Sequence, residues 1–139
     1  MKTLLKLIVF IVGALVLILG MEVKHRMDIY NQIKQVELKN AHSKEVIEMY
    51  EQELISMDPQ ALTDEGLIKS YTIDSDSLFI NPMGGFSIHL IINNDPDTYL
   101  RVRLDRRNWE RDLEIASIYY SEKLEKLLEK EGLIDDFYR

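Results

Sequence analysis

The chain has 139 residues, with 17 Lys and Arg against 24 Asp and Glu, a formal charge of −7, and no cysteine. An acidic balance argues against nucleic acid, which selects a basic face. The missing thiols exclude disulfides, cysteine catalysis and thiolate zinc.

The N-terminus opens with Met-Lys-Thr-Leu-Leu-Lys and runs uncharged from Leu7 to Met21. Crossing a hydrocarbon core takes roughly 20 mostly apolar residues. Leu4 to Val23 reaches that length, because Lys6 can extend its amine to the headgroups and Glu22 sits at the far interface. Lys2 and Lys6 with no acid before Glu22 favour an N-terminus in the cytoplasm, against the opposing Lys24 and Arg26. A cleaved secretory signal is the alternative, since the positive start and apolar stretch fit it. No small-x-small cleavage site accompanies it, as Ile18 stands two residues before Gly20. Both readings export the remainder of the chain, and the expected location is the cell membrane, single-pass, with the C-terminal part outside. Residues 4–23 then make the contact with membrane lipid. After Met21 come all 24 acids and 15 of the 17 bases, a formal charge of −9 on the remainder, which argues against broad adhesion to anionic lipid.

Glu22 to Met57 has no Gly or Pro and reads as helix. Met27, Tyr30 and Ile33 mark one face, and Ile47, Tyr50 and Leu54 another. The polar middle leaves two readings open: Ser43 caps a second helix, or the helix runs through. The division expected is an anchor or signal segment over 1–23, a helical stalk over 24–42 and a small α+β domain over 43–139. Asp58-Pro59 ends the helix, and Asp58 as cap with Gly66 as terminator predicts a short helical turn over 59–64.

The pattern then changes to period two. Leu67 to Asp74 predicts a strand, Ser75-Asp76-Ser77 a turn, and Leu78 to Asn81 a short strand. Phe86, Ile88, Leu90 and Ile92 alternate with polar positions, as do Leu100, Val102 and Leu104 after the loop Asn93 to Thr98. These two strands should pair as an antiparallel hairpin with one apolar and one polar face. Arg106 to Asp112 reads as loop and Leu113 to Tyr120 as a fourth main strand. Ser121 caps a final helix stopped by Gly132, with Leu124, Leu127 and Leu128 on one face. Leu133 to Arg139 is a tail. The fold expected is α+β: about four antiparallel strands covered on one face by helices.

No catalytic constellation stands out, and the chain is not expected to be an enzyme or to use a cofactor. His25, His42 and His89 lack metal-ligand spacing, and no H-E-x-x-H occurs. Asp74 with Asp76, and Asp95 with Asp97, lack the full calcium-loop spacing. Asn81, Pro82, Gly84 and Gly85, around Met83, suit a specific hairpin turn, since paired glycines permit positive φ; the competing reading is bare backbone that a ligand approaches. Tyr99, Arg101 and Arg103 with Arg106, Arg107 and Trp109 form the one basic-aromatic row in an acidic chain. It is the candidate surface for an envelope protein or an anionic wall polymer; the plainer reading is a solvated strand face paired with the chain's own acids.

The blocks Asp58-Pro-Gln-Ala-Leu-Thr63, Gly66-Leu-Ile-Lys-Ser-Tyr-Thr-Ile-Asp74, Asn81-Pro-Met-Gly-Gly85 and Ile92-Asn-Asn-Asp95 resemble a family of short membrane-anchored proteins of unknown function. That family is known chiefly from streptococci, listeria and their relatives. The resemblance covers residues 45–105 and fades from Arg106. It implies a single-pass, extracytoplasmic protein and brings no catalytic residues. The function expected is a non-enzymatic binding or interaction module at the cell envelope. The alternatives are a small-ligand or lipid sensor using the sheet's curved face, and a small wall-directed hydrolase using Asp74 and Asp76.

Overall fold

The computed structural model describes residues 1–107 and 112–134. The elements in chain order are α1 (Lys2–Ala41), α2 (Lys44–Met57), β1 (Tyr71–Ile80), β2 (Phe86–Ile92), β3 (Tyr99–Arg106), β4 (Leu113–Tyr120) and α3 (Glu122–Lys130). The α+β expectation holds. The chain divides into two units, Met1–Val36 and Glu37–Arg139.

The first unit is helix, and its large apolar side chains are exposed. Leu4, Phe10, Leu17 and Met21 are all more than half exposed. Its apolar window is long enough to cross a membrane. In a bilayer such a helix would bury its side chains in lipid while its backbone groups stay bonded within the helix.

The second unit is built on a four-stranded antiparallel meander in the order β1-β2-β3-β4. Period-two alternation puts Phe86, Ile88, Leu90 and Ile92 of β2 on one face, beside Leu100, Val102 and Leu104 of β3, and all seven are buried. Tyr50 and Leu54 of α2, Leu124 and Leu128 of α3, Ile68 and Ala41 belong to the same core. Each large apolar side chain removed from water contributes about 1.5–3 kcal/mol.

Of the two readings at the end of α1, the capped second helix is the one formed. Ser43 stands in extended backbone and its Oγ accepts from Val46 N at 3.4 Å. Ser121 caps α3 in the same way, accepting from Leu124 N at 3.3 Å. Gly132, at φ 68°, closes α3, with Leu133 N donating to Leu128 O at 2.9 Å.

Three sequence expectations are corrected. The helical turn over 59–64 does not form. Residues 59–67 make hydrogen-bonded turns instead, with Leu62 at φ 64°. The buried Asp58 carboxylate organises them: Oδ1 accepts from Gln60 N and Oδ2 from Ile68 N, both at 3.0 Å. Binding an amide ten residues away holds the segment as a loop, where a helix would carry that amide out of reach. The first strand begins at Tyr71 instead of Leu67, because Asn93 takes the backbone groups of 67–70. Its Oδ1 accepts from Lys69 N and Ser70 N, and its Nδ2 donates to Leu67 O. Ser75-Asp76-Ser77 does not end the strand. It is a bulge inside β1, where the register with β2 shifts between Asp74 and Phe79. Ser77 Oγ donates to Asp74 O at 2.6 Å and accepts from His89 N at 2.8 Å, so a side chain replaces the ladder bond the bulge displaces.

The turn between β1 and β2 is tied at four points. Asn81 N donates to Gly85 O, Gly84 N to Asn81 O, Met83 N to Asn81 Oδ1, and Asn81 Nδ2 to Asp105 Oδ1. Gly84 and Gly85 stand at φ 104° and 80°. A Cβ on Gly85 would lie 2.0 Å from Leu104 O, whereas one on Gly84 would meet nothing. Gly85→Ala is therefore expected to cost at least about 2 kcal/mol more than Gly84→Ala, because backbone strain is common to both and the clash belongs to one. Urea unfolding of the full chain in detergent measures the difference.

Candidate functional site

The face of the sheet opposite the core carries exposed side chains, among them Thr72, Phe79, Arg101, Arg103 and Tyr119. Across it runs one row in register: Asp74 of β1, His89 of β2, Arg101 of β3 and Tyr119 of β4. Tyr99 flanks that row on one side. Ser87, Arg103 and Ser117 flank it on the other, with Phe79 at the edge. Phe79 and Tyr119 are more than half exposed.

The candidate row does not stay together. Tyr99, Arg101 and Arg103 share the open face. Arg106 does not join them. Period two sets residue 106 with Leu100, Val102 and Leu104, and its Nη2 donates to both carboxylate oxygens of Glu37 at 2.7 and 2.9 Å. Glu37 is nearly buried and also accepts from Asn40 Nδ2. Arg106 thus anchors the last turn of α1 to the end of β3. Arg107 follows the strand, exposed, with Nε 3.1 Å from Glu114 Oε2. Trp109 lies outside the described residues. Arg103 is held bidentately by Asp105, at 3.1 and 2.9 Å.

Arg101 differs from the others. Its Nε donates to His89 Nε2 at 3.1 Å, and among the described residues it forms no ion pair. The His89 ring stacks on Tyr99, with centroids 4.4 Å apart and planes 16° from parallel. An imidazole that accepts at Nε2 is neutral and carries its proton on Nδ1. Partial burial and the Arg101 charge hold the His89 pKa below 6.5, with Asp74 acting in the opposite sense. His89 was legible as a polar-face residue. Its pairing with Arg101 comes from hairpin register, which the loop Asn93 to Thr98 sets: Ile92 N donates to Thr98 O, and His89 then falls opposite Arg101.

The other sequence candidates have structural partners. Asp95 Oδ2 accepts from Lys123 Nζ and from Thr98 Oγ1, which keeps its carboxyl below the usual carboxylate range and ties the β2–β3 loop to α3. Asp74 Oδ1 accepts from Asp76 N at 3.2 Å within the bulge, and Asp76 is exposed. His42 Nδ1, just past the end of α1, lies 2.9 Å from Leu38 O. Among the described residues no group of three or more His, Asp or Glu side chains is placed to hold a metal ion. Tyr50 is buried, and its hydroxyl has no hydrogen-bond partner among the described residues, while Tyr71 donates to Glu51 Oε1 at 3.4 Å. Burial and the Glu51 charge push the Tyr71 phenol up to about 12.

The fold and this face define a class of protein: a short chain whose N-terminal helix can span a membrane, joined to a meander covered on one side by helices and open on the other. A family model described as "Protein of unknown function (DUF1310)" matches residues 6–127, and the chain belongs to that family. The match runs from the apolar helix into α3, well past the 45–105 stretch that carries the resemblance in sequence. No curated protein and no solved structure matches the chain.

The depressed His89 pKa has a stability consequence. The unfolded chain binds a proton at His89 near pH 6.5, whereas the folded chain resists it to lower pH. The unfolded state therefore holds more protons in that window, and stability falls as pH drops below 6.5. Unfolding of the full chain in detergent between pH 7 and 5 should show this slope, and His89→Gln should flatten it.

Proposed function

We propose that this protein is a single-pass, membrane-anchored binding module of the cell envelope. Residues 4–23 lie in the bilayer, the N-terminus is cytoplasmic, and the second unit faces outward. The observation that carries the reading is the pairing of an exposed apolar helix with a folded unit whose sheet keeps one face open. Lys2 and Lys6, with no acid before Glu22, support the orientation.

The module acts by docking, without catalysis. Asp74 Oδ1 is engaged by Asp76 N and Asp76 is exposed, which weighs against a hydrolytic pair held in a cleft. The inner sheet face is occupied by its own core side chains, which leaves the open face as the binding surface. Tyr99, Arg101 and Arg103 lie on it, and the partner is an envelope protein.

Cell fractionation and a reporter fused behind Arg139 test this reading. The full-length chain should sediment with membranes, resist salt extraction, dissolve only in detergent and carry an active reporter outside the cytoplasm. A cytosolic chain, or a reporter that works only inside, contradicts it. A mature N-terminus near Gly20 would keep export and remove the anchor.

A further inference from the structure

Four arginines lie along β3 and its end, and three of them are neutralised by the chain's own acids. Arg103 is paired with Asp105, Arg106 with Glu37 and Arg107 with Glu114. The fourth, Arg101, is oriented by a neutral group. His89 accepts its Nε proton, and the ring stacked on Tyr99 fixes that imidazole in place. A carboxylate in the same position would orient the guanidinium and also cancel its charge. A neutral imidazole does only the first. The remaining guanidinium N–H groups project from an exposed side chain on an open sheet face.

We propose that Arg101 is a preorganised receptor for a carboxylate, presented by an acidic segment of another protein whose apolar side chains pack on Tyr119, Tyr99 and Phe79. This rests on the binding-module reading and names the chemistry of its partner. Guanidinium and carboxylate match as planar forks with charge-assisted hydrogen bonds. Fixing the guanidinium in advance lowers the ordering cost of the contact. Arginine and tyrosine side by side are the composition that dominates protein–protein contacts.

Two other occupants fit less well. A polyanionic wall polymer gains affinity from many cations in line, and here the neighbouring arginines are spoken for by acids. A second copy docking through this same face would set one Arg101 toward another, and that local like-charge contact opposes it.

The full chain in nanodiscs is titrated with three defined probes. These are a short capped peptide alternating glutamate with leucine, the same peptide with glutamine for glutamate, and inorganic polyphosphate. His89 side-chain NMR signals report occupancy at the site. The glutamate peptide should bind and shift those signals. The glutamine peptide should bind about tenfold more weakly or worse, the size of one charge-assisted contact. Arg101→Gln should lose the same factor, Arg101→Lys should recover part of it, and the control Lys44→Gln on α2 should match the native chain.

Equal affinity for the two peptides, no binding of either, or an unaffected Arg101→Gln overturns the proposal. So does tight binding of polyphosphate alone, or self-association that Arg101→Gln abolishes, since these assign the face to a polymer or a second copy. A chain that remains anchored and exported while failing these titrations removes this inference and leaves the proposed function standing.

Discussion

One constraint organises the second unit: the apolar face that β2 and β3 share must be covered. Seven consecutive inward positions on two paired strands are buried, and a two-stranded ribbon cannot hide them alone. Two more strands and three helical segments gather around that face. α3 has only nine residues, too few to be stable as an isolated helix, and it persists because Leu124 and Leu128 enter the core. The loop between α2 and β1 is irregular for the same reason. Ile68 has to reach the core, and the Asp58 carboxylate satisfies the amide it takes inside.

Covering one face leaves the other. Antiparallel meanders tolerate water on one side, and the polar alternation of β2 and β3 reflects that. The charges along β3 are not random. Arg103, Arg106 and Arg107 are each matched by an acid, and Arg101 is matched by an imidazole. The family match is silent on activity, so the functional reading rests on this asymmetry and on the apolar helix.

The elements carrying a strong period are legible in the sequence. The alternation in β2 and β3, the serine cap of α3 and the apolar leader are local signals, and each appears where expected, while Ser43 as cap of α2 is one of the two readings the polar middle leaves open. What escaped was long-range. Asp58 to Ile68, Asn93 to 67–70, and Glu37 to Arg106 join residues 10, about 25 and 69 positions apart, and no local pattern announces them. Ser75-Asp76-Ser77 has turn composition, yet Ser77 spends its hydroxyl on the ladder and keeps the strand going. Arg106 is the instructive case. Grouping it with Tyr99, Arg101 and Arg103 by proximity ignores parity, since an even position belongs with Leu104 on the covered side. The same bookkeeping, applied to the hairpin, pairs His89 with Arg101.

The absence of cysteine permits a direct test of an exported sheet with one covered face and one open face. Single substitutions Thr72→Cys, on the open face, and Val102→Cys, in the core, are treated in intact cells with a membrane-impermeant maleimide. Thr72→Cys should label without permeabilisation, and Val102→Cys only after denaturation. Labelling of Thr72→Cys solely after lysis would put the folded unit inside the cell, and equally fast labelling at both positions would mean that the β2–β3 face is not covered.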